Sequence, residues 1–291
     1  MPPTIKINRN TAINGDRVTP IALTTITVLV FLPEFTRLID AWINDPYVRY
    51  GFLIPLISAY LLYKKRKKIS RDLSDLEKGA VLALVSIPLL YLTRTYGDLS
   101  LAVVAFLPFV FGAVLATYAV PTVREAWFPL AYLGFMFPFP AILTTRLSLY
   151  LADLTYSLTL AWLKILGITH TATSEGLPTI TVFHSGEPLS FAIDTSCVAV
   201  YSLLGFLAFG AFFAYTTSGR IYKRVVLVLV GCLVLILLNS LRIAAILGLA
   251  ALYGEGLAVT LFHLLGGWVL IAISFIVVLI VAERSGERIT L

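Results

Sequence analysis

A thiol, a guanidinium and an imidazole fall inside or beside long apolar runs in the last third of the chain: Cys197, Arg242 and His263. Hydrocarbon penalises such groups, so an ionisable residue there is by default a functional candidate. A thiol is a weak nucleophile until it becomes a thiolate. A nearby guanidinium or imidazolium lowers its pKa, as does a helix N-terminus. His263 takes the thiol proton and returns it to a leaving amine. Arg242 stays charged and cannot act as a base; its roles are to stabilise thiolate or a tetrahedral oxyanion, or to hold a substrate carbonyl. Asn239, one turn before Arg242, orients the guanidinium or donates to the oxyanion. Asp194, just before Cys197, tunes His263 or a substrate amine, or caps the following helix, and the cap is favoured. The expected reaction is acyl transfer through a thioester.

The elements that must position these groups are membrane helices. The 291 residues are 59% hydrophobic and 13% charged, with a mean hydropathy of +0.92. A soluble domain carries roughly 25% charged residues. The apolar blocks run about 17–25 residues, the length that crosses a bilayer as helix, and the alternating ten-residue segments of a barrel are missing. The expected fold is an all-α polytopic membrane protein. It has about eight transmembrane helices, an outer-face amphipathic helix in the interface, and a small extracellular β-hairpin. The net charge of +6 sits in short basic loops and fits an inner-leaflet bias better than nucleic-acid binding. Two cysteines make no disulfide framework. No signal peptide is expected in the polar first 20 residues.

Spans are expected at about 18–39, 47–63, 79–96, 99–120, 126–140, 197–215, 225–248 and 257–281. Lys64-Lys65-Arg66-Lys67-Lys68 is the strongest topological signal and places that loop, and both termini, in the cytoplasm. Gly97-Asp98 makes a tight outer turn, and the prolines of Phe137-Pro138-Phe139-Pro140 end the fifth span. Over 141–166, Leu147, Leu151, Leu154, Leu158, Trp162 and Ile165 repeat at helical spacing, which suits a helix lying in the interface. If it spanned, Arg220, Lys223 and Arg224 would face outward. Within 170–193, residues 179–183 and 189–193 flank Ser185-Gly186-Glu187-Pro188 as a hairpin. The domain plan is a cytoplasmic tail 1–17, one transmembrane catalytic domain 18–284, and a tail 285–291.

Helical rise sets the depth of the three groups. At about 1.5 Å per residue, Cys197 is about 34 Å from Arg220, Arg242 about 27 Å from Arg224, and His263 about 30 Å from Glu283. Against a core of about 30 Å, all three fall near the outer boundary. Each alone has a plainer role: a small buried thiol, a guanidinium snorkelling to headgroups, a hydrogen-bonded structural histidine. One common depth from three separate helices favours a site. Cys232, about 12 Å from the inner face, reads as packing. No HExxH, Gly-rich phosphate loop or GxSxG pattern is present, so no metal and no cofactor is expected. A transporter or channel would continue polar residues to the inner face, where spans six to eight are apolar. A non-catalytic assembly factor would leave Cys197 incidental.

Tyr50-Gly51-Phe52-Leu53-Ile54-Pro55-Leu56-Ile57 with the basic cluster, the Pro-rich block 128–140, Cys197, Asn239-Ser240-Leu241-Arg242-Ile243 and His263 occur in an order that resembles the exosortase/archaeosortase family of membrane cysteine transpeptidases, on the archaeosortase side. The resemblance runs from about residue 45 onward. It departs at Cys197-Val198-Ala199, where the family often has Cys-Ser-Gly, and at Tyr50, where it often has His. It implies a thiol protease or transpeptidase in the cell membrane, working at the extracellular face. The implied partners are secreted proteins with a C-terminal motif, a membrane helix and a basic cluster. The implied acceptor is water or a lipid headgroup amine.

Overall fold

A computed structural model describes residues 21–45, 48–68, 75–118, 120–174, 178–193, 200–254, 256, 267–284 and 286. The described chain is mostly helical, and it divides into two compact units, Met1–Pro138 and Phe139–Leu291.

In the first unit, α1 (Ile21–Val30) and α2 (Leu32–Asn44) meet at a bend of 82°. Pro33 sits in the first turn of α2, where its missing N–H is harmless, but it cannot continue a helix from the residues before it. The bend is packed from inside. Phe31, fully buried, sits edge-on to Phe106 at 5.3 Å and to Phe109 at 5.4 Å. The carbonyl of Val30, released by the break, accepts from Arg94 Nη2 at 3.0 Å, while Arg94 Nε and Nη2 grip the Glu34 carboxylate at 2.8 and 3.1 Å. Glu34 is 2% exposed. Glu34→Gln is expected to cost about 1–3 kcal/mol. That is less than the roughly 3–5 of a broken buried pair, because the Arg94 side chain is 45% exposed and re-solvates. Thermal unfolding of the two purified proteins in one detergent checks this.

The helix α3 (Leu53–Lys65) follows a 3-10 turn at Arg49–Phe52. Next come α4 (Leu76–Tyr96) and α5 (Ala102–Thr117). The Asp75 carboxylate accepts from the Lys78 N–H and caps α4. Gly97, at φ 68°, closes α4 in the left-handed region, and Asp98 accepts from the Ser100 N–H to start the next turn. The tight turn expected at Gly97-Asp98 is therefore present. Gly79, Ala83, Gly112 and Ala116 let the α4 and α5 backbones touch. Finally, α6 (Val120–Tyr132) tightens into a 3-10 turn at Leu133–Met136 before the prolines.

The second unit is built around α9 (Ile221–Tyr253), 33 residues and about 50 Å long. Its neighbours are α7 (Ala141–Ile165), α8 (Val200–Thr216), α10 (Gly267–Arg284) and a three-stranded antiparallel sheet. Phe206 and Phe275 meet as tilted rings, centroids 4.7 Å apart, between α8 and α10. Gly231 lets α9 pack over that pair, since a methyl there would meet the Phe206 ring at 2.1 Å.

Among the described residues, three helices are long and apolar enough to cross a membrane, or up to five if each bent pair is one span; the expectation of about eight is for the whole chain. Other expectations are corrected. The helix α9 does not stop at 248. It runs to Tyr253 because Ile243, Ala244, Ile246, Leu247 and Ala250 are buried against the sheet and α7. A helix does cover 141–165, but its buried face is Ser148, Leu151, Ala152, Thr155, Thr159 and Leu163. Of the expected stripe only Leu151 is fully buried, Trp162 packs partly buried against the core shared with α9, and Ile165 is exposed. Small hydroxyl residues turned toward neighbouring helices are a packing habit of membrane helices.

The expected hairpin is a sheet of three strands in the order β1 (His170–Thr173), β2 (Thr179–His184), β3 (Glu187–Ala192). The β2–β3 turn is only Ser185-Gly186, both at positive φ (52° and 91°), as a two-residue hairpin of matched twist requires. Glu187 and Pro188 belong to β3, not to the turn.

Candidate functional site

The site is assembled from α9 outward. Asn239 is 2% exposed. Arg242, one turn later, is half-buried with its Nε enclosed. A spacing of three puts the two on one face. Between them Ser240, fully buried, turns the other way and fixes the rotation of the helix. Its Oγ accepts from Trp162 Nε1 at 3.1 Å and donates to the Leu237 carbonyl at 2.9 Å. Thr159 Oγ1 approaches the Ser240 carbonyl at 3.5 Å. Two residues of α7 thus clasp Ser240, which directly follows the candidate amide and precedes the candidate guanidinium by two positions.

Immediately beyond Arg242 comes the sheet. Ile180 and Val182 from β2, and Ile193 just past β3, share one core with Leu163 of α7 and with Ile243, Ala244, Ile246, Leu247 and Ala250 of α9. Sequence alternation explains the sheet's half of this: Ile180 and Val182 point inward, and Phe183 points out. Near the tip, His184 Nδ1 donates to the Ala251 carbonyl at 3.0 Å, close to the end of α9. Gly254, at φ 86°, ends the helix against the same imidazole.

Of the sequence-derived candidates, Asn239 and Arg242 are brought together. Cys197, Asp194 and His263 lie outside the described residues. The nearest described positions to Cys197 are Ile193, 2% exposed in the shared core, and Val200, buried at the start of α8. The described part of α8 begins after Cys197, where the sequence had the helix start. Trp162 and Thr159 were not singled out as site residues. A pairing of Trp162 with Ser240 has no sequence signature, because the partners are 78 residues apart and each alone looks like packing. Among the described residues no cluster of His, Cys, Asp and Glu is placed to hold a metal ion.

What this arrangement offers chemically is a half-buried cationic group one turn from a buried amide, on a helix that packs against the sheet.

Helical content, long apolar spans and an enclosed guanidinium define a polytopic α-helical membrane protein. Residues 42–280 match the family model described as transmembrane exosortase (Exosortase_EpsH), and the chain belongs to that family, whose members are generally membrane cysteine transpeptidases. No curated protein and no solved structure matches the chain.

Proposed function

We propose that the protein is an archaeosortase-type cysteine transpeptidase that processes the C-terminal sorting signal of secreted proteins at the outer face of the cell membrane. Cys197 thiolate adds to the scissile carbonyl. Arg242, helped by Asn239, carries the charge of the tetrahedral oxyanion. The C–N bond breaks, and the amine leaves with the proton that His263 took from the thiol. Water or a lipid headgroup amine then attacks the thioester and restores the thiol. Asp194 caps the helix that begins at Cys197. The substrates carry a short motif, a membrane helix and a basic cluster. The helices form one catalytic domain of about eight spans over 18–284, with both termini cytoplasmic, α7 at the interface and the sheet as an extracellular insert.

The observation that carries this reading is the shared core of Ile193 and the α9 turns that follow Arg242. Chain geometry keeps Cys197 within about 14 Å of Ile193, four residues at about 3.6 Å each. That reach supports a thiol near the turn of α9 that carries Arg242.

Co-expression with a secreted protein of the same genome that ends in a membrane helix and a basic cluster tests the proposal. Wild type is expected to shorten the substrate, and Cys197→Ala, at normal abundance, to leave it at full mass. The mass of the new C-terminus shows water or a lipid amine as acceptor. Equal cleavage by both proteins would remove the thiol mechanism.

A further inference from the structure

We infer that the first unit binds one anionic membrane lipid, with a hydrocarbon chain in its cavity and the headgroup on the basic cluster at the end of α3. The inference is independent of the chemistry at Cys197.

Five helices of the first unit line a cavity of about 480 Å³, within the roughly 300–1,000 Å³ of small-molecule sites. Both arms of the 82° bend contribute, with Thr27 from α1 and Phe35 from α2. Pro55 and Leu62 come from α3, Val110 from α5 and Leu130 from α6. The lining is mostly aliphatic and aromatic, and the Thr27 hydroxyl donates to the Leu23 carbonyl at 2.8 Å. Water finds few partners in such a space, and an empty one forfeits dispersion contact. Thr24 and Val28, on the α1 wall, are exposed. The cavity therefore opens past α1, where a chain can enter from the bilayer.

The two ends of the cavity differ in charge. At one end the lining is Phe35, Leu133 and Met136, without charge. At the other, Leu62 precedes Lys65 and Arg66 by one turn on the same side of the chain, while Thr122 and Ala126 of α6 flank Glu125. The Glu125 carbonyl accepts from Lys65 Nζ at 2.6 Å, and its carboxylate faces Lys65 Nζ at 3.4 Å and Lys68 Nζ at 3.7 Å. This end of the cavity and the basic cluster are thus one place. Lys64, Lys65, Arg66, Lys67, Lys68 and Arg124 set six cations against the one carboxylate of Glu125, a net of +5. All of the six except Lys65 are exposed. Such a cluster beside a membrane helix attracts anionic headgroups.

A lipid is the occupant that puts carbon in the cavity and negative charge at its basic end. An acidic peptide would bring backbone polar groups into a wall that cannot satisfy them. Bilayer chains are as apolar as the lining, so chain burial alone selects nothing, and the headgroup decides which lipid stays. The leaflet is the one that carries the basic cluster, the inner one in the topology proposed above.

Photolabelling in vesicles tests this. Full-length protein is reconstituted in phosphatidylcholine containing a trace of phosphatidylglycerol or of phosphatidylcholine that bears a diazirine on one acyl chain. Labelled peptides are read by mass spectrometry. Label on the cavity wall, at Val110 and Leu130, is compared with label on Leu84, which is 60% exposed on α4. The phosphatidylglycerol probe is expected to favour the wall over Leu84, and to exceed the phosphatidylcholine probe there by about fivefold or more, the ratio that one cation beside an anionic headgroup yields. Lys67→Gln with Lys68→Gln should remove that preference, while Lys64, Lys65 and Arg66 still hold the orientation. Ala113→Trp, which fills the cavity from α5, should abolish label on the wall and leave Leu84 labelled. If that variant does not accumulate, the glutamine pair decides alone. Wall label no higher than that of Leu84, as when the first twenty residues of the chain fill the space, would overturn the inference. So would equal labelling by both probes, or unchanged wall label in Ala113→Trp.

Discussion

Replacing Arg242 by Lys is expected to slow processing by roughly 10²–10³-fold while the protein accumulates normally. That is the usual loss when one preorganised donor to a developing oxyanion is removed. The substitution keeps the positive charge and the long apolar stem. It removes the planar fork of donors, whose rigid geometry an ammonium does not reproduce. If Arg242 served only to reach outer headgroups, Lys would snorkel as well, and the variant would be within about twofold of wild type. The structure makes the demanding outcome the expected one. Trp162 and Thr159 hold Ser240, and through it they fix the direction in which the next turn presents its guanidinium. Initial rates of substrate shortening, normalised to enzyme abundance, separate the two results.

The second large effect lies far from any chemistry. Gly112→Leu is expected to destabilise the first unit by about 3 kcal/mol or more, the upper end of overpacking costs, and to leave little folded protein. A Cβ on Gly112 would sit 2.5 Å from the Ala83 nitrogen and 2.7 Å from the Gly79 carbonyl oxygen; one on Gly79 would sit 2.2 Å from the Ala116 nitrogen. These obstacles are backbone atoms, so no rotamer change relieves them. Between membrane helices such close approach is the main source of association, because lipid is as apolar as leucine. Gly97→Asn is the informative companion. Gly97 has open space around it and a left-handed φ of 68°, which asparagine tolerates, so that variant should unfold near the wild-type temperature. Detergent-solubilised yield and thermal unfolding of both variants check the contrast.

How far the sequence reached differs by element and for physical reasons. The hairpin of α4 and α5 was legible because an uninterrupted apolar run, a glycine and an aspartate are local signals. The 82° break at Phe31 was not: Pro33 marks a weak point, but the Phe31–Phe106 packing that holds the bend is distant in sequence. Strand β1 escaped notice since His170-Thr171-Ala172-Thr173 has no apolar alternation and exists as a strand only beside β2. The stripe of leucines on α7 did not reveal which face packs, for a reason particular to membranes. Large apolar side chains satisfy lipid as readily as core, and here Ser148, Thr155 and Thr159 turn inward. At the site, the spacing of Asn239 and Arg242 was readable from helical period alone. The clasp by Trp162 was not, because it joins two helices whose registry no local pattern records.

The shared core of sheet and α9 also sets an order of events during synthesis. Ile180, Val182 and Ile193 are complete about 60 residues before Tyr253 closes α9. At about 5–20 residues per second, the ribosome needs roughly 3–12 s to cover that stretch. For those seconds the apolar face of the sheet lacks α9, and among the described residues of that core α7 is the element already made. The newborn domain must be sheltered through that interval, so slowed elongation or impaired insertion after residue 193 would expose it to proteases and aggregation before the enzyme has a site to protect.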